Sequence, residues 1–93
     1  MSGAERLRRI ESVLRAAFPD AQIELRDDSH LHAGHAGAAS GRGHFHVYIR
    51  SAAFAGLGLL ARHRAVYAAL GALMEQDIHA LGITAQAPDE APR

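Results

Sequence analysis

Residues 44–50, HFHVYIR, set an apolar side chain at every second position: Phe45, Val47 and Ile49 alternate with His44, His46, Tyr48 and Arg50. A period of two belongs to a strand with one buried and one wet face. It restricts the chain to folds in which a sheet is covered on one side. Residues 21–26, AQIELR, repeat the pattern, with Ala21, Ile23 and Leu25 opposed to Gln22, Glu24 and Arg26. Two such strands in succession pair most simply as an antiparallel hairpin, here with a long loop from Asp27 to Gly43. A third short strand is expected over Ile78 to Ala85, with His79, Leu81 and Ile83 on one side.

The cover comes from segments with helical period. Ser2 to Phe18 carries Leu7, Ile10, Leu14, Ala17 and Phe18 as one apolar stripe, opens with Ser2 and Glu5 at capping-box spacing, and ends at Pro19-Asp20. Leu59 to Met74 carries Leu59, His63, Val66, Leu70 and Leu73, widened by Leu60, Tyr67 and Met74. Between them, Ser51 to Gly58 reads as a turn or short helix around Phe54, with Phe54 as an apolar anchor and Gly56 as a turn glycine. The last strand is reached through a helix, and a right-handed crossover makes it a parallel neighbour of the second strand. The expected architecture is α+β, in the order αββααβ, with a three-stranded mixed sheet and helices on one face. Residues 1–88 form a single domain in this reading. From Ala87 on, APDEAPR is a polar tail without core residues, and residues 89–93 lie outside the domain.

The 93 residues are 48% apolar, enough for one modest core. No apolar run is long enough to span a bilayer, because Arg62, His63 and Arg64 break the longest. The N-terminus, MSGAERLRRIESV, lacks an apolar signal region, so the expected location is the cytoplasm. Cysteine is absent, which excludes disulfides and any metal site built on the chain's own thiolates. The net charge of zero argues against strong nonspecific nucleic-acid binding. The charge is unevenly spread, however. No acid lies between Ser29 and Met74, a window that holds Arg42, Arg50, Arg62, Arg64 and six of the seven histidines. This basic middle gains charge as the histidines protonate near pH 6.5.

Five histidines fall within residues 30–46, HLHAGHAGAASGRGHFH. On spacing alone His30, His32 and His35 read first as solvated loop residues and only second as metal ligands, since they lack the pattern of a zinc finger. His79, at a strand start beside Leu81 and Ile83, reads on its own as a hydrogen-bonded structural residue or as a ligand. Arg62, His63 and Arg64 read either as a solvated helix face with a satisfied histidine or as a patch facing a partner or phosphates.

Three stretches bear on the histidines together: DDSHLHAGHAG (27–37), FAGLGLLARHRAVYAAL (54–70) and IHALGITAQAP (78–88). Across them the chain resembles the BolA family. The resemblance implies a fold like the second class of KH domains. It also implies a partner, a monothiol glutaredoxin, with which the chain shares a bridging [2Fe–2S] cluster held in part by the glutaredoxin and glutathione. The histidine of IHAL maps to His79 as one ligand. The second comes from the loop between the first two strands, where the family uses histidine or cysteine; with no cysteine, this chain belongs to the histidine kind. A Ser, two residues, then His puts that ligand on His32, with His35 next and His30 a close alternative.

Imidazole suits iron, and histidine in place of thiolate raises a cluster's potential. The resemblance also implies a second role, as a DNA-binding regulator of stress response and cell morphology. Arg50, Arg62, His63 and Arg64 are then the partner or nucleic-acid surface. KH-type RNA clamping is not expected: the only GXXG string, Gly34 to Gly37, lies in the strand–strand loop rather than between helices. No nucleophile, base pair or phosphate loop supports catalysis, so the chain is expected not to be an enzyme, and its free form to be a monomer or weak homodimer.

Overall fold

The protein's structure, a computed structural model, describes residues 3–28 and 43–91, the side chain of His79 excepted. Helix α1 (Gly3–Ala17) is followed by strands β1 (Gln22–Asp27) and β2 (Gly43–Arg50), a 3-10 turn (Ala52–Phe54), helices α2 (Leu59–Leu70) and α3 (Leu73–Gln76), and strand β3 (Ile78–Gln86). The sheet order is β1-β2-β3. β1 runs antiparallel to β2, from Gln22 opposite Arg50 to Asp27 opposite Phe45. β2 runs parallel to β3, ending with Arg50 opposite Gln86. This is the expected α+β fold with a three-stranded mixed sheet. Ser2, His30, His32, His35, Arg42 and the GXXG string lie outside the described residues.

The core forms where the two periods meet. From the sheet come Ile23, Leu25, Phe45, Val47, Ile49, Leu81, Ile83 and Ala85; from α1 come Leu7, Ile10, Val13 and Leu14. Ala17 is exposed, so the α1 stripe runs through Val13 instead. α1 stops because Pro19 has no N–H to continue the ladder. The Phe18 amide still reaches Leu14 O at 2.8 Å, and the Ala21 amide turns back to Phe18 O at 3.0 Å. Asp20 then fastens this corner to the turn after β2. Its carboxylate accepts from the Ala52 amide at 2.8 Å and from Ser51 Oγ at 2.7 Å. Those two bonds, the amide first, hold its pKa below the usual carboxylate value. Phe54 is fully buried at the end of the 3-10 turn, its ring centroid 5.2 Å from that of Phe18.

The single helix expected over residues 59–74 is two. Gly71 has φ 52° and ψ −124°, a conformation open to glycine and strained for any residue with a Cβ, and its amide closes α2 on Tyr67 O at 3.0 Å. The α2 stripe also differs from expectation. Val66 and Leu70 are buried, but Leu59 is 65% exposed and Leu60 and Tyr67 are also exposed. The reason is Arg62, whose guanidinium bonds Leu57 O and Ala85 O and closes the first turn against the sheet in place of Leu59.

β3 breaks its expected alternation at the start. Gly43 pairs with Ile78, but the next residue, His44, pairs with Ala80, so His79 is the extra residue of a β-bulge. The bulge lets Ile78 and the set Leu81, Ile83 and Ala85 all serve the core, which strict alternation forbids. At the other end, Ala87 is buried, so the segment after the last strand is not purely a polar tail. No helix among the described residues is long and apolar enough to cross a membrane.

Candidate functional site

The site begins at the start of β3. Asp77, immediately before the strand, is buried and faces two arginines of α1: Arg9 Nη1 lies 3.1 Å from Oδ2 and Arg6 Nε 3.7 Å from Oδ1. The residue's carbonyl accepts the Gly43 amide at 3.0 Å. At the end of β1, the Asp28 amide donates to His44 O at 2.7 Å. Both ends of the histidine-bearing segment 29–42 are thus fastened at the sheet end that carries His79. The described residues that flank the segment, Asp28 and Gly43, therefore lie at the end of the sheet where β3 starts, while His32 and His35 themselves fall outside the described residues. Among the described residues no group of three or more His, Asp or Glu side chains is placed to hold a metal ion.

The two histidines of β2 differ in burial. His44 is buried, whereas the sequence reads it as part of the wet face; it lies beside the register shift opposite His79. His46 lies on the open face, its Nε2 3.0 Å from Thr84 Oγ1 and its ring 4.4 Å from that of Tyr48. Burial, and then the positive charge of Arg26, lower its pKa and so favour the neutral imidazole. A Cβ on Gly82 would come within 2.5 Å of His46 Nδ1, so the glycine makes room for the ring. A lone glycine inside an apolar strand is the sequence signal for such an approach.

Two of the basic residues, Arg50 and Arg62, sit at the far end of the sheet. Arg64 is exposed, and His63 is half-buried on α2. Arg50 donates to the carbonyls of Pro88 and Glu90, both at 3.0 Å, and to Gln86 Oε1 at 3.1 Å. Arg62, expected to be solvated or partner-facing, donates through Nη2 to Glu90 Oε2 at 2.7 Å, and its Nη1 meets Oε1. Sequence reading missed Glu90 and Asp77. Each is one acid among several, and only the fold shows which arginine it meets.

Arg62's hydrogen bonds, followed by that of the Ala87 amide, lower the Glu90 pKa from 4.5 to about 2. A carboxylate whose pKa falls on folding contributes stability that is complete above its unfolded pKa and is lost as pH drops through the folded one. The stabilisation from Glu90 is therefore expected to be intact above about pH 4.5 and to fade toward pH 2. Thermal melts of the wild type and Glu90→Gln across pH 7 to 2 should converge in that window. A constant gap between the two would show that the charge contributes nothing.

The family model for a BolA-like protein matches residues 14–90. The chain belongs to the BolA-like family. This BolA-like chain is 38% identical over 86 residues to an uncharacterized protein in the cobS 5′ region of Sinorhizobium sp., covering 90% of this chain and 92% of that one. It is 40% identical over 75 residues to the DNA-binding transcriptional regulator BolA of Escherichia coli strain K12, with 81% and 69% covered. Among solved structures, the BolA domain of SufE1 from Arabidopsis thaliana superposes with a TM-score of 0.80 at 34% identity, over 98% of this chain and all of that one.

Proposed function

We propose that the chain is a non-catalytic adaptor that pairs with a monothiol glutaredoxin and shares a bridging [2Fe–2S] cluster with it and with glutathione. His79 and His32 are its ligands, with His35 the alternative to His32, and its role lies in cluster trafficking and iron homeostasis. One observation supports this reading above the others: the histidine-bearing segment leaves and rejoins the sheet beside the bulge at His79, through Asp28 and Gly43. The donor set fits a shared cluster. With no cysteine, and with histidine as the family-type donor, the chain offers part of a coordination shell and needs thiolates from elsewhere. A histidine ligand must be neutral, so binding weakens as pH falls through the imidazole range. Separation of the partners opens the shell and releases the cargo.

The test is anaerobic titration into cluster-loaded monothiol glutaredoxin with glutathione, followed by visible absorption and circular dichroism. The expected result is a spectral change that saturates at one to one and disappears in His79→Ala. An unchanged spectrum, with no complex on gel filtration, would overturn the adaptor reading.

The second reading, a DNA-binding regulator, is favoured by the exposed Arg64, the acid-free middle of the chain and the similarity to the E. coli regulator. Duplex binding should weaken steeply with salt, whereas cluster sharing should follow glutathione and the histidines. Duplex affinity too weak to measure at moderate salt would remove this reading.

A further inference from the structure

Arg62 and Glu90 are unequal partners. The guanidinium is held from behind, Nε by Leu57 O at 2.9 Å and Nη1 by Ala85 O at 3.0 Å, and its side chain is 11% exposed. The Glu90 side chain is 40% exposed and follows the last strand. If the carboxylate swings away, the guanidinium keeps its two carbonyl anchors and stays in place. The Ala87 amide, which donates to Glu90 Oε1 at 2.8 Å, stays as well, because Ala87 is buried. Leu57, Leu59, Arg62, Ala85, Gln86 and Glu90 line a cavity of about 330 Å³ at this point, room for an anion larger than a carboxylate.

We infer that Arg62 and the Ala87 amide form a phosphate-binding site, and that the carboxylate of Glu90 is the chain's own stand-in for the ligand. The planar guanidinium fork accepts carboxylate and phosphate oxygens in the same paired geometry. The backbone amide adds a donor whose direction is fixed by the fold. Arg50, bonded to the carbonyls of Pro88 and Glu90, keeps a second positive charge beside the site while holding the strap that carries the competing acid. That acid comes from the acidic C-terminal end and covers an arginine of the acid-free middle, so a phosphate must compete with it. The proposal rests on the regulator reading only for the source of the phosphate, the backbone of duplex DNA; the site itself is defined by Arg62, Ala87 and Glu90.

The test uses the full chain, ¹⁵N-labelled, as wild type, Glu90→Gln, Glu90→Ala and Glu90→Gln/Arg62→Gln. Each is titrated with inorganic phosphate at constant ionic strength, with chloride as control. In both Glu90 variants the Ala87 amide and the Arg62 Nε–H should shift saturably, with an apparent Kd at least tenfold below that of the wild type. The added Arg62→Gln should abolish saturation. Wild type and both Glu90 variants titrating alike, or chloride producing the same shifts, would overturn the site. In a second arm, a 15-base-pair duplex should bind Glu90→Gln more tightly than wild type. Its log–log salt dependence should be steeper by about 0.9, one more phosphate neutralised. A phosphate response without a duplex response keeps the site and removes DNA as its source. Equal duplex binding with no phosphate response at Ala87 removes the site and leaves the regulator reading standing.

Discussion

Phe54→Ala is expected to lower the stability of the fold by about 3–5 kcal/mol. The ring is fully buried at the end of a three-residue turn and stacks at a tilt on Phe18 just after α1. Truncation therefore removes a large apolar surface and leaves a cavity between the first helix and the sheet corner. The hydrogen bonds of Asp20 to Ser51 and Ala52 hold that corner rigid enough that it will not collapse to fill the space. A domain of this size has a total stability of roughly 5–14 kcal/mol, so the variant stands near the limit of folding at 37 °C. Urea denaturation with an unchanged m-value is the measurement. Leu59→Ala, five residues on, is the control: with 65% of its surface already in water it should change stability by less than about 0.5 kcal/mol. A loss below about 1 kcal/mol in Phe54→Ala would mean that the turn at 52–54 is not seated in the core.

That contrast between Phe54 and Leu59 also marks how far the sequence can be read. Alternation gave the faces of β2 correctly at Phe45, Val47 and Ile49, and the helical period found Ile10, Leu14, Val66 and Leu70, because each of these packs where its own element meets the core. The order of elements and the crossover then leave little freedom in the sheet. Leu59 was misread because a period says which residues share a face and not where along the helix that face stops touching protein. Here Arg62 takes over the contact. The bulge at His79 was invisible for a related reason. Its signal is a mismatch of register between two strands distant in sequence, and neither strand shows it alone. His79 and the histidine-bearing segment were legible as candidates from their motifs. That Asp27, Gly43 and Ile78 share one end of the sheet is a property of the β1–β2 hairpin and the parallel β2–β3 pair together.

The two proposed sites lie at opposite ends of β3, one beside Ile78 and the other beside Ala85 and Ala87. At about 3.3 Å per residue that is on the order of 25 Å. Groups so far apart, with no shared partner, behave additively. His79→Ala should therefore leave the phosphate response of Glu90→Gln unchanged, and Glu90→Gln should leave the one-to-one cluster titration unchanged. A single chain can carry both activities without either acting on the other.

Asp77→Ala is expected to cost about 3 kcal/mol, and it should reach the histidine end of the sheet as well as the core. The carboxylate is buried, and Arg6, its more distant partner, is itself largely buried. Deleting the acid leaves that guanidinium in a low-dielectric site without its counter-charge, the circumstance in which breaking a buried pair is costly. Arg9 is nearly half exposed and can turn to water, which holds the loss at the lower end of the range for such pairs. Asp77→Asn keeps the shape and an acceptor oxygen but not the charge, so it should lose roughly half as much. The structural consequence follows from the position of Asp77. Its carbonyl takes the Gly43 amide, so the α1 arginines act through this one residue on the place where the histidine-bearing segment rejoins the sheet beside His79. Loosening Asp77 should raise hydrogen exchange at the Gly43 amide more than at the amides of Val47 and Ile49, deeper in the same strand. Urea denaturation gives the first quantity and native-state exchange the second. A stability loss below about 1 kcal/mol would mean that the Arg6–Asp77–Arg9 group behaves as a surface pair. Exchange that rises evenly along β2 would mean that Asp77 supports the sheet as a whole rather than the end where β3 starts.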